Sequence, residues 1–432
     1  MRIRSITLGL PLTWPDVDSE EIADAGHFAQ RAKAALEAAG LEVQTIRLAA
    51  PPLSTVLASF PSRFIEEAAV TYAAEVMVAA KAAGFSYVSL GPVNTIPVQE
   101  NTYALIAVLP KLIASHEGLF ATAQVGNLID EARRDVPGRR ASDRRRLINL
   151  KAAQAAAGVI RNLADHTPDG FGNLNFAATA NCPGNIPFFP VAYFAPQSTY
   201  DLGSYGLALE TADLVVEAFS GASSIAEACT RAVAAFEREG RRVLTALEPL
   251  GGAYTFNGLD FSTAPFPSPE QSIGHAFEQL GIAARFGQSG TLFTAAIVTS
   301  ALQSVDLPRC GYSGLMLPVL EDTTLAQRSA EAGLYNVDSL LLYSAVCGLG
   351  LDTVPLPGDV SERELIGILL DMAVLALRLH KPLTARLFPV PGKVSGEAAA
   401  WDFPFFAPGA VLASKGQAAD GQMKLTEEIV EV

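Results

Sequence analysis

Short apolar runs alternate with longer amphipathic stretches along the chain. A short apolar run between turn residues is typical of a buried strand, and helical periodicity of apolar positions is typical of a helix. Asp18, followed by Ser-Glu-Glu, predicts the start of the first helix, because its side chain caps free N–H groups and acids favour that end of the helix dipole. The pattern predicts strands at 2–10, 42–48, 87–90, 119–125, 174–180, 256–262, 312–317, 353–356 and 383–390, and helices at 18–40, 61–84, 100–116, from near 142, 209–219, 223–240, 269–281, 291–304 and 361–379.

This alternation predicts an α/β fold. A strand, a helix and a second strand in succession imply parallel strands, because parallel neighbours cannot be joined by a tight turn. No Ser/Gly-rich linker, charge block or internal repeat divides the chain. We therefore expect a single α/β domain over residues 1–432.

Composition narrows the class of protein. The 432 residues are 50% hydrophobic and 18% charged, which excludes a disordered chain. A net charge of −14 argues against non-specific nucleic-acid binding, which depends on the neutralisation of phosphates. The strongly apolar segment 364–378 contains Asp371, and no segment has the roughly 20 apolar residues of a membrane span.

Cysteine usage and the N-terminus indicate the compartment. The four cysteines form no Cys-x-x-Cys pair, and the N-terminal apolar run is too short for a signal peptide. We expect a cytoplasmic protein with reduced thiols and without a nucleic-acid or membrane partner. The sequence leaves open whether the protein forms a homo-oligomer.

The loop after the predicted strand 174–180 is the first candidate site. It is rich in Asn, Gly and Pro, and ligand sites in parallel α/β folds lie at the carboxyl ends of strands. Asn181 offers donors and acceptors, and the prolines would keep the loop rigid. The structural alternative is a buried loop whose asparagines satisfy the backbone.

The segment 380–397 is the second candidate. It places Lys381, Arg386 and Lys393 along and beside a strand, with a Pro-Gly turn at its carboxyl end. In an acidic protein, a basic cluster next to glycine-containing backbone is suited to a carboxylate or a phosphate. Pairing of Lys381 and Arg386 with surface acids is the equally weighted alternative.

Two further segments contain candidate catalytic groups. Cys347 follows an apolar run and would be a nucleophile if a neighbouring cation lowered its pKa; a buried structural cysteine is the alternative. Asp352 and Asp260 lie at predicted strands, where a carboxylate could transfer protons. Asp260, Glu321 and Asp322 could also bind a hard cation such as Mg²⁺, although Asp322 equally suits a helix cap.

The segment 131–146 contains seven arginines. It could bind an anionic partner, and a solvated loop with neighbouring aspartates is the alternative interpretation.

Several motifs resemble one protein family. TPDGFGNLNFAATANCPGNIPFFPVAY, GLDFSTAP, SGLMLPVLED, SAVCGLGLD and KPLTARLFPVPGKVSG follow RIRSITLGL in this order. Together they resemble an uncharacterised UPF family, the domain of unknown function numbered seven-eleven. The resemblance implies a single α/β barrel similar to the ten-stranded barrel of pyruvate formate-lyase and other glycyl radical enzymes, without an established reaction.

The fold analogy does not extend to radical chemistry. Lys393-Val-Ser-Gly396-Glu lacks the arginine and the aromatic residue of the glycyl radical motif, although Cys182 lies on a central loop. Fold alone does not fix function, so we expect a non-radical protein with Gly396 in a turn. Members of the resembled family often look linked to amino-acid-sensing partners, which makes a regulatory role the alternative.

The sequence therefore predicts an enzyme that acts on a small anionic metabolite at the barrel mouth. Lys381, Arg386 and Lys393 would neutralise the anion. Asn181 would orient it, Asp260 or Asp352 would transfer protons, and Cys347 is a further catalytic candidate. No cofactor follows from the sequence. The alternative is a metabolite-sensing protein without turnover.

Overall fold

The computed structural model describes residues 1–129, 144–196, 202–331, 333–415 and 427–432. The strands of these residues are β1 (Arg2–Gly9), β2 (Val43–Ala49), β3 (Tyr87–Val93), β4 (Leu119–Ile129), β5 (Arg145–Asn149), β6 (Phe176–Ala180), β7 (Ser204–Glu210), β8 (Thr255–Asp260), β9 (Gly350–Pro357), β10 (Leu383–Val390), β11 (Ala398–Ala399), β12 (Gly409–Ala410) and β13 (Ile429–Glu431). The α-helices are α1 (Ser19–Ala38), α2 (Leu53–Val56), α3 (Ile65–Ala82), α4 (Thr102–Ser115), α5 (Leu150–His166), α6 (Ala212–Phe219), α7 (Ile225–Leu247), α8 (Ile273–Leu280), α9 (Thr291–Gln303), α10 (Thr323–Ser329), α11 (Val337–Ser344) and α12 (Glu362–Arg378). Short 3₁₀ turns lie at Ser62–Phe64, Pro168–Asn175, Glu248–Leu250 and Pro269–Gln271.

One large, mostly parallel sheet organises the molecule. Its strand order is β8-β7-β1-β2-β3-β4-β6-β10-β9, while β5 pairs with β4 and β13. The strands from β1 to β6 along this path are parallel, and so are the pairs β7–β8 and β9–β10. The expectation of parallel neighbours is wrong at β1–β7 and β6–β10, which are antiparallel. The described residues between β6 and β7 (181–196 and 202–203) contain no crossover helix that would impose the parallel direction there.

The segment 308–319 lies between the two ends of this strand order. The amide of Leu259 in β8 donates to the carbonyl of Pro308 at 3.0 Å, and the amide of Val319 donates to the carbonyl of Asp352 in β9 at 3.1 Å. Single parallel bridges mark both junctions. The predicted strand 312–317 is wrong, because prolines and glycines around it remove donors and bend the backbone.

Side-chain caps explain several helix starts. Asp18 accepts hydrogen bonds from the amides of Glu20 and Glu21, as the sequence predicts. Asn149, Ser224, Ser272, Asn336 and Ser361 cap α5, α7, α8, α11 and α12 in the same way. No helix within the described ranges is long and apolar enough to cross a membrane.

Five strands of the described residues escape the sequence prediction: β5, β7 and the short β11, β12 and β13. β7 occupies the first residues of the predicted helix 209–219, and α6 begins only at Ala212. β5 precedes α5, which starts at Leu150. A short apolar run fits a strand and a helix equally well, which explains why β5 and the end of β7 are predicted as helix. The predicted helix start near 142 lies outside the described residues.

Candidate functional site

A cavity lies between the sheet and the loop after β6. Side chains of β1, β2, β3, β9 and β10 line it, together with Phe188, Phe189, Pro190 and Val191 of the loop. Its empty volume, including solvent at the mouth, is about 880 Å³. About 80 Å³ is open to the centres of water molecules. This is room for several waters, since one water needs ~10–15 Å³ by that measure.

Hydroxyl groups of the sheet hold this loop in place. Ser5 Oγ and Thr7 Oγ1 donate to the carbonyl oxygen of Pro187 at 3.2 and 2.7 Å. Ser89 Oγ donates to the carbonyl oxygen of Pro190 at 3.4 Å. These bonds satisfy loop carbonyls that would otherwise be buried without a partner, so the aromatic residues between them face the cavity from a fixed backbone.

A chain of alternating charges crosses the cavity wall. Arg386 Nε donates to Asp352 Oδ1 at 2.5 Å, and Arg386 Nη2 donates to Glu321 Oε1 at 2.7 Å. Arg4 Nη2 donates to the other oxygen of Glu321 at 2.7 Å, and Arg4 Nη1 donates to Glu210 Oε1 at 2.8 Å. Arg2 Nε donates to Glu210 Oε2 at 3.0 Å. Buried charges are tolerated here because each one is paired and hydrogen-bonded.

An irregularity in β9 and β10 brings Asp352 and Arg386 together. The pairing register shifts between Ala385 and Leu387, and Thr353 has a φ of 43°. A β-bulge of this kind redirects side chains. Burial raises the pKa of Asp352, against the opposing effect of the Arg386 guanidinium.

Arg47 differs from the other cavity arginines. It is paired in register with Tyr87 of β3, and its guanidinium carbon lies 5.3 Å from the ring centres of Tyr87 and Phe189. Its Nε donates to Thr45 Oγ1 at 2.8 Å. Although Arg47 is only 7% exposed, no carboxylate of the described residues pairs with it. Burial, and then the charge of Arg4, lower its pKa.

Aromatic residues near the C-terminus border the cavity mouth. Phe403 and Phe405 line the cavity, and the Arg4 guanidinium carbon lies 5.2 Å from the ring centre of Phe405. A second, more open cavity shares Tyr87, Phe120 and Phe403 with the first. The two cavities therefore adjoin at these rings.

Comparisons with known proteins place the chain in a family. The family model described as Uncharacterised ACR (DUF711) matches residues 1–402. The chain belongs to this family. The resemblance in the sequence motifs is thus confirmed, whereas the pyruvate formate-lyase-like detail of the fold is not.

Relatives of this DUF711 protein share the name UPF0210 protein. One from Pyrobaculum arsenaticum is 34% identical over 260 residues, which are 58% of this chain and 56% of the relative. One from Methanopyrus kandleri is 28% identical over 421 residues, which are 91% of this chain and 87% of the relative. One from Neisseria gonorrhoeae is 29% identical over 265 residues, 58% of this chain and 56% of the relative. The chain thus spans a little over half of the length of the first and third relatives.

One solved structure is that of GH5_18 from Streptomyces cattleya in complex with GlcNAc. Its alignment covers 90% of this chain and 82% of the GH5_18 chain, at 13% sequence identity. Its TM-score of 0.18 supports no argument about this DUF711 protein.

The cavity of this DUF711 member includes Asp352 and Arg386 from the residues predicted for a site. The other predicted residues lie elsewhere. Asn181 has a φ of 55° and its amide donates to the carbonyl of Gly126 at 3.0 Å. Lys393 is exposed in the turn after β10, where its carbonyl accepts from the Gly358 amide at 2.8 Å. Neither Asn181 nor Lys393 lines this cavity.

Cys347 and Lys381 line a separate surface groove. The Gly350 amide donates to Cys347 Sγ at 3.4 Å, and the thiol is buried. Lys381 Nζ donates to the backbone carbonyls of Ser344 and Cys347. The groove adjoins the central cavity at Tyr312, which lines both. Lys381 therefore binds the backbone beyond α11, outside the central cavity.

Asp260 holds the backbone of the 308–319 segment. Its carboxylate accepts from the amides of Tyr312, Ser313 and Ser262 at 2.7, 2.8 and 3.0 Å, and from Ser262 Oγ at 2.5 Å. Burial raises its pKa to about 6 against the effect of these donors. Asp260 does not line the cavity, so its position fits a structural contact rather than contact with a ligand there.

Asp260, Glu321 and Asp322 do not converge on a cation. Glu321 pairs with two arginines, and Asp322 caps both α8 and α10. No group of at least three potential metal ligands occurs among the residues that the structure describes. The metal hypothesis for these three carboxylates is therefore wrong. Of the arginine-rich segment 131–146, residues 131–143 lie outside the described part.

Arg4 and Arg47 escape the sequence search. Both lie inside strands, RIRSITLG and VQTIRLA, and Arg47 stands between Ile46 and Leu48. Strands of parallel sheets are usually buried on both faces, so an arginine inside one is a signal for a buried charge. That signal was available in the sequence.

Proposed function

We propose that this protein binds a small organic anion in the central cavity and acts on it as an enzyme without radical chemistry. The observation that supports this proposal is Arg47, a buried guanidinium that faces the cavity without a carboxylate partner. A buried charge without a partner destabilises a protein, and an anionic ligand would complete the pair.

The surroundings of Arg47 suit a carboxylate. A guanidinium presents two parallel N–H donors that match the two oxygens of a carboxylate. The rings of Tyr87 and Phe189 flank this cation and the Thr45 hydroxyl fixes its Nε, so the group is oriented before the ligand arrives. Preorganisation reduces the entropy lost on binding.

Asp352 is the proposed proton-transfer group. It lines the cavity, and burial raises its pKa, which moves a carboxyl towards the range where it can both take up and release a proton. Arg386 would hold Asp352 in place and adjust its charge. The proposal assigns no ligand contact to Asn181, Lys381 or Lys393.

We also propose that the sheet closes into a barrel through the segment 308–319. The support is that this segment hydrogen-bonds to β8 at Leu259 and to β9 at Asp352. Hydrogen exchange would test closure: the amides of Cys310 and Val319 should be protected to the same degree as those inside β8 and β9. Exchange at the rate of an open loop would contradict it.

A thermal-shift screen tests the binding proposal. Acetate, lactate, pyruvate, malate, succinate, free amino acids and phosphate would be added in turn to the wild type, to Arg47→Met and to Arg63→Met. Arg63 is an exposed arginine over the Phe64 ring, 4.7 Å from its centre, and serves as a matched control. We expect at least one organic anion to stabilise the wild type and Arg63→Met but not Arg47→Met. Failure of every anion to stabilise the wild type would contradict the proposal.

The alternative is a metabolite sensor without turnover. It is favoured by one observation: the cavity carboxylates Glu321 and Asp352 are already hydrogen-bonded to arginines. Incubation of the protein with a binding anion, followed by mass spectrometry, separates the two. A new product supports the enzyme, and unchanged ligand supports the sensor.

A further inference from the structure

Arg47 is the cavity arginine whose two Nη atoms have no hydrogen-bond acceptor among the described residues. Arg386 uses Nε for Asp352, Nη2 for Glu321 and Nη1 for the carbonyl oxygen of Leu174, the last at 3.4 Å. Arg4 uses both of its Nη atoms for Glu210 and Glu321. Of the three guanidinium nitrogens of Arg47, only Nε has a hydrogen-bond acceptor among the described residues. Its two Nη atoms form one vacant pair of donors.

The charges around the cavity leave a single positive excess. The cavity is lined by three arginines and two carboxylates: Arg4, Arg47 and Arg386, with Glu321 and Asp352. Arg4 also pairs with Glu210, and Glu210 pairs with Arg2 outside the cavity lining, which adds no net charge. The further acid Glu42 lies 3.8 Å from Arg2 but is exposed to solvent, where its charge is screened. One added negative charge would neutralise the network.

From the vacant donor pair and the single excess charge we infer that the cavity selects a monocarboxylate over dicarboxylates and phosphate. This inference rests on the proposed function, of which it specifies the ligand class. One carboxylate fills both Nη positions of Arg47. A second negative charge in the same cavity would meet Glu321 and Asp352, and like charges brought together at a buried site repel each other strongly.

The remaining wall indicates the body of the ligand. Its apolar side chains include Phe120, Phe188, Phe403, Phe405, Met316 and Leu349. Such a surface gains from contact with hydrocarbon or aromatic groups. It offers few donors to the additional oxygen atoms of a phosphate. The ligand class is therefore a monocarboxylate with an apolar body.

Matched pairs of acids test this inference by calorimetry. Butanoate and succinate differ by one carboxylate on the same four-carbon chain, as benzoate and terephthalate do on one ring; inorganic phosphate completes the set. We expect the monoacid of at least one pair to bind the wild type at least tenfold more tightly than its diacid and than phosphate. Arg47→Lys should weaken this monoacid at least tenfold, because lysine keeps the charge but lacks the paired donors.

A charge-changing variant provides the second test. Asp352→Asn removes one negative charge while its amide oxygen can still accept from Arg386, so the diacid should gain affinity relative to the monoacid by at least tenfold. If Asp352→Asn does not fold, Glu321→Gln makes the same change of charge. Equal or tighter binding of the diacid or phosphate by the wild type, or an unchanged preference in the variant, would overturn the inference while leaving anion binding intact. No binding of any acid would instead overturn the proposed function.

Discussion

Replacement of two cavity arginines by methionine should change stability in opposite directions. Arg47 and Arg386 line the same cavity and are each 7% exposed. Arg47 has no carboxylate partner among the described residues, whereas Arg386 bonds to Asp352 and Glu321. Methionine keeps much of the length and apolar volume and removes the charge. Arg47→Met therefore removes a cation that has no carboxylate partner. Arg386→Met leaves Asp352 without an ion-pair partner and leaves Glu321 with Arg4 alone.

The size of each effect follows from the ion pairs. Removal of a largely buried cation that has no carboxylate partner should stabilise the ligand-free protein by about 1–3 kcal/mol. Loss of one partner from a buried pair should destabilise it by about 3–5 kcal/mol. An unfolding entropy of about 2.1 cal/mol/K per residue gives about 0.9 kcal/mol/K for the chain. The expected shifts in Tm are thus about +1 to +3 °C for Arg47→Met and about −3 to −6 °C for Arg386→Met.

Differential scanning calorimetry on extensively dialysed protein measures both shifts. Circular dichroism before each scan would confirm that the variants are folded. Arg63→Met, at an exposed position, should leave Tm within about 1 °C of the wild type. A fall in Tm for Arg47→Met as large as that for Arg386→Met would show that Arg47 has a structural partner. It would refute the argument that this guanidinium awaits a ligand.

Three further predictions concern stability. Gly311→Ala places a methyl group 1.9 Å from Asp260 Oδ2 at a φ of 64°, so it should lower the free energy of unfolding by more than about 3 kcal/mol. Gly221 has a φ of 62° and no atom within 4 Å of the added methyl group, so Gly221→Ala should lower it by only about 1–2 kcal/mol. Equal urea midpoints for the two variants would contradict this. Asp322→Ala removes the acceptor for four amides of α8 and α10, so it should lower the free energy of unfolding by at least about 3 kcal/mol. Asp18→Ala should lower it by about 1 kcal/mol. Similar urea midpoints for both variants would be inconsistent with a cap shared by two helices. Burial raises the pKa of Asp260 from 3.8 to about 6, so the stability that its protonated form provides is complete below about pH 4 and is lost as pH rises through about 6. Relative to Asp260→Asn, the free energy of unfolding of the wild type should fall by up to about 3 kcal/mol between pH 4 and 7, and a parallel pH profile for both proteins would contradict this.

Much of the fold could be predicted from the sequence because the signals are local. The strand at the N-terminus, the helix capped by Asp18 and the strand 383–390 all follow from apolar patterning and capping residues. The antiparallel junctions could not be predicted in this way. The pairing of β6 with β10 joins segments that are about 200 residues apart, and its direction depends on tertiary packing.

The candidate site was harder to predict than the fold. Asp352 and Arg386 are predicted because polar residues on or directly before a predicted strand are conspicuous, but their contact depends on a bulge that the sequence does not reveal. Lys381 and Lys393 satisfied the same search for cations and lie outside the cavity. A basic residue on or beside a strand is therefore weaker evidence than an arginine enclosed by apolar strand positions, such as Arg47.

The most direct test of the central claim is a crystal structure with a monocarboxylate that stabilises the wild type. We predict that both carboxylate oxygens lie about 2.7–2.9 Å from the two Nη atoms of Arg47, with the body of the acid against the aromatic wall. An acid bound in the surface groove near Lys381, or one that leaves the Arg47 Nη atoms without contact, would contradict the account.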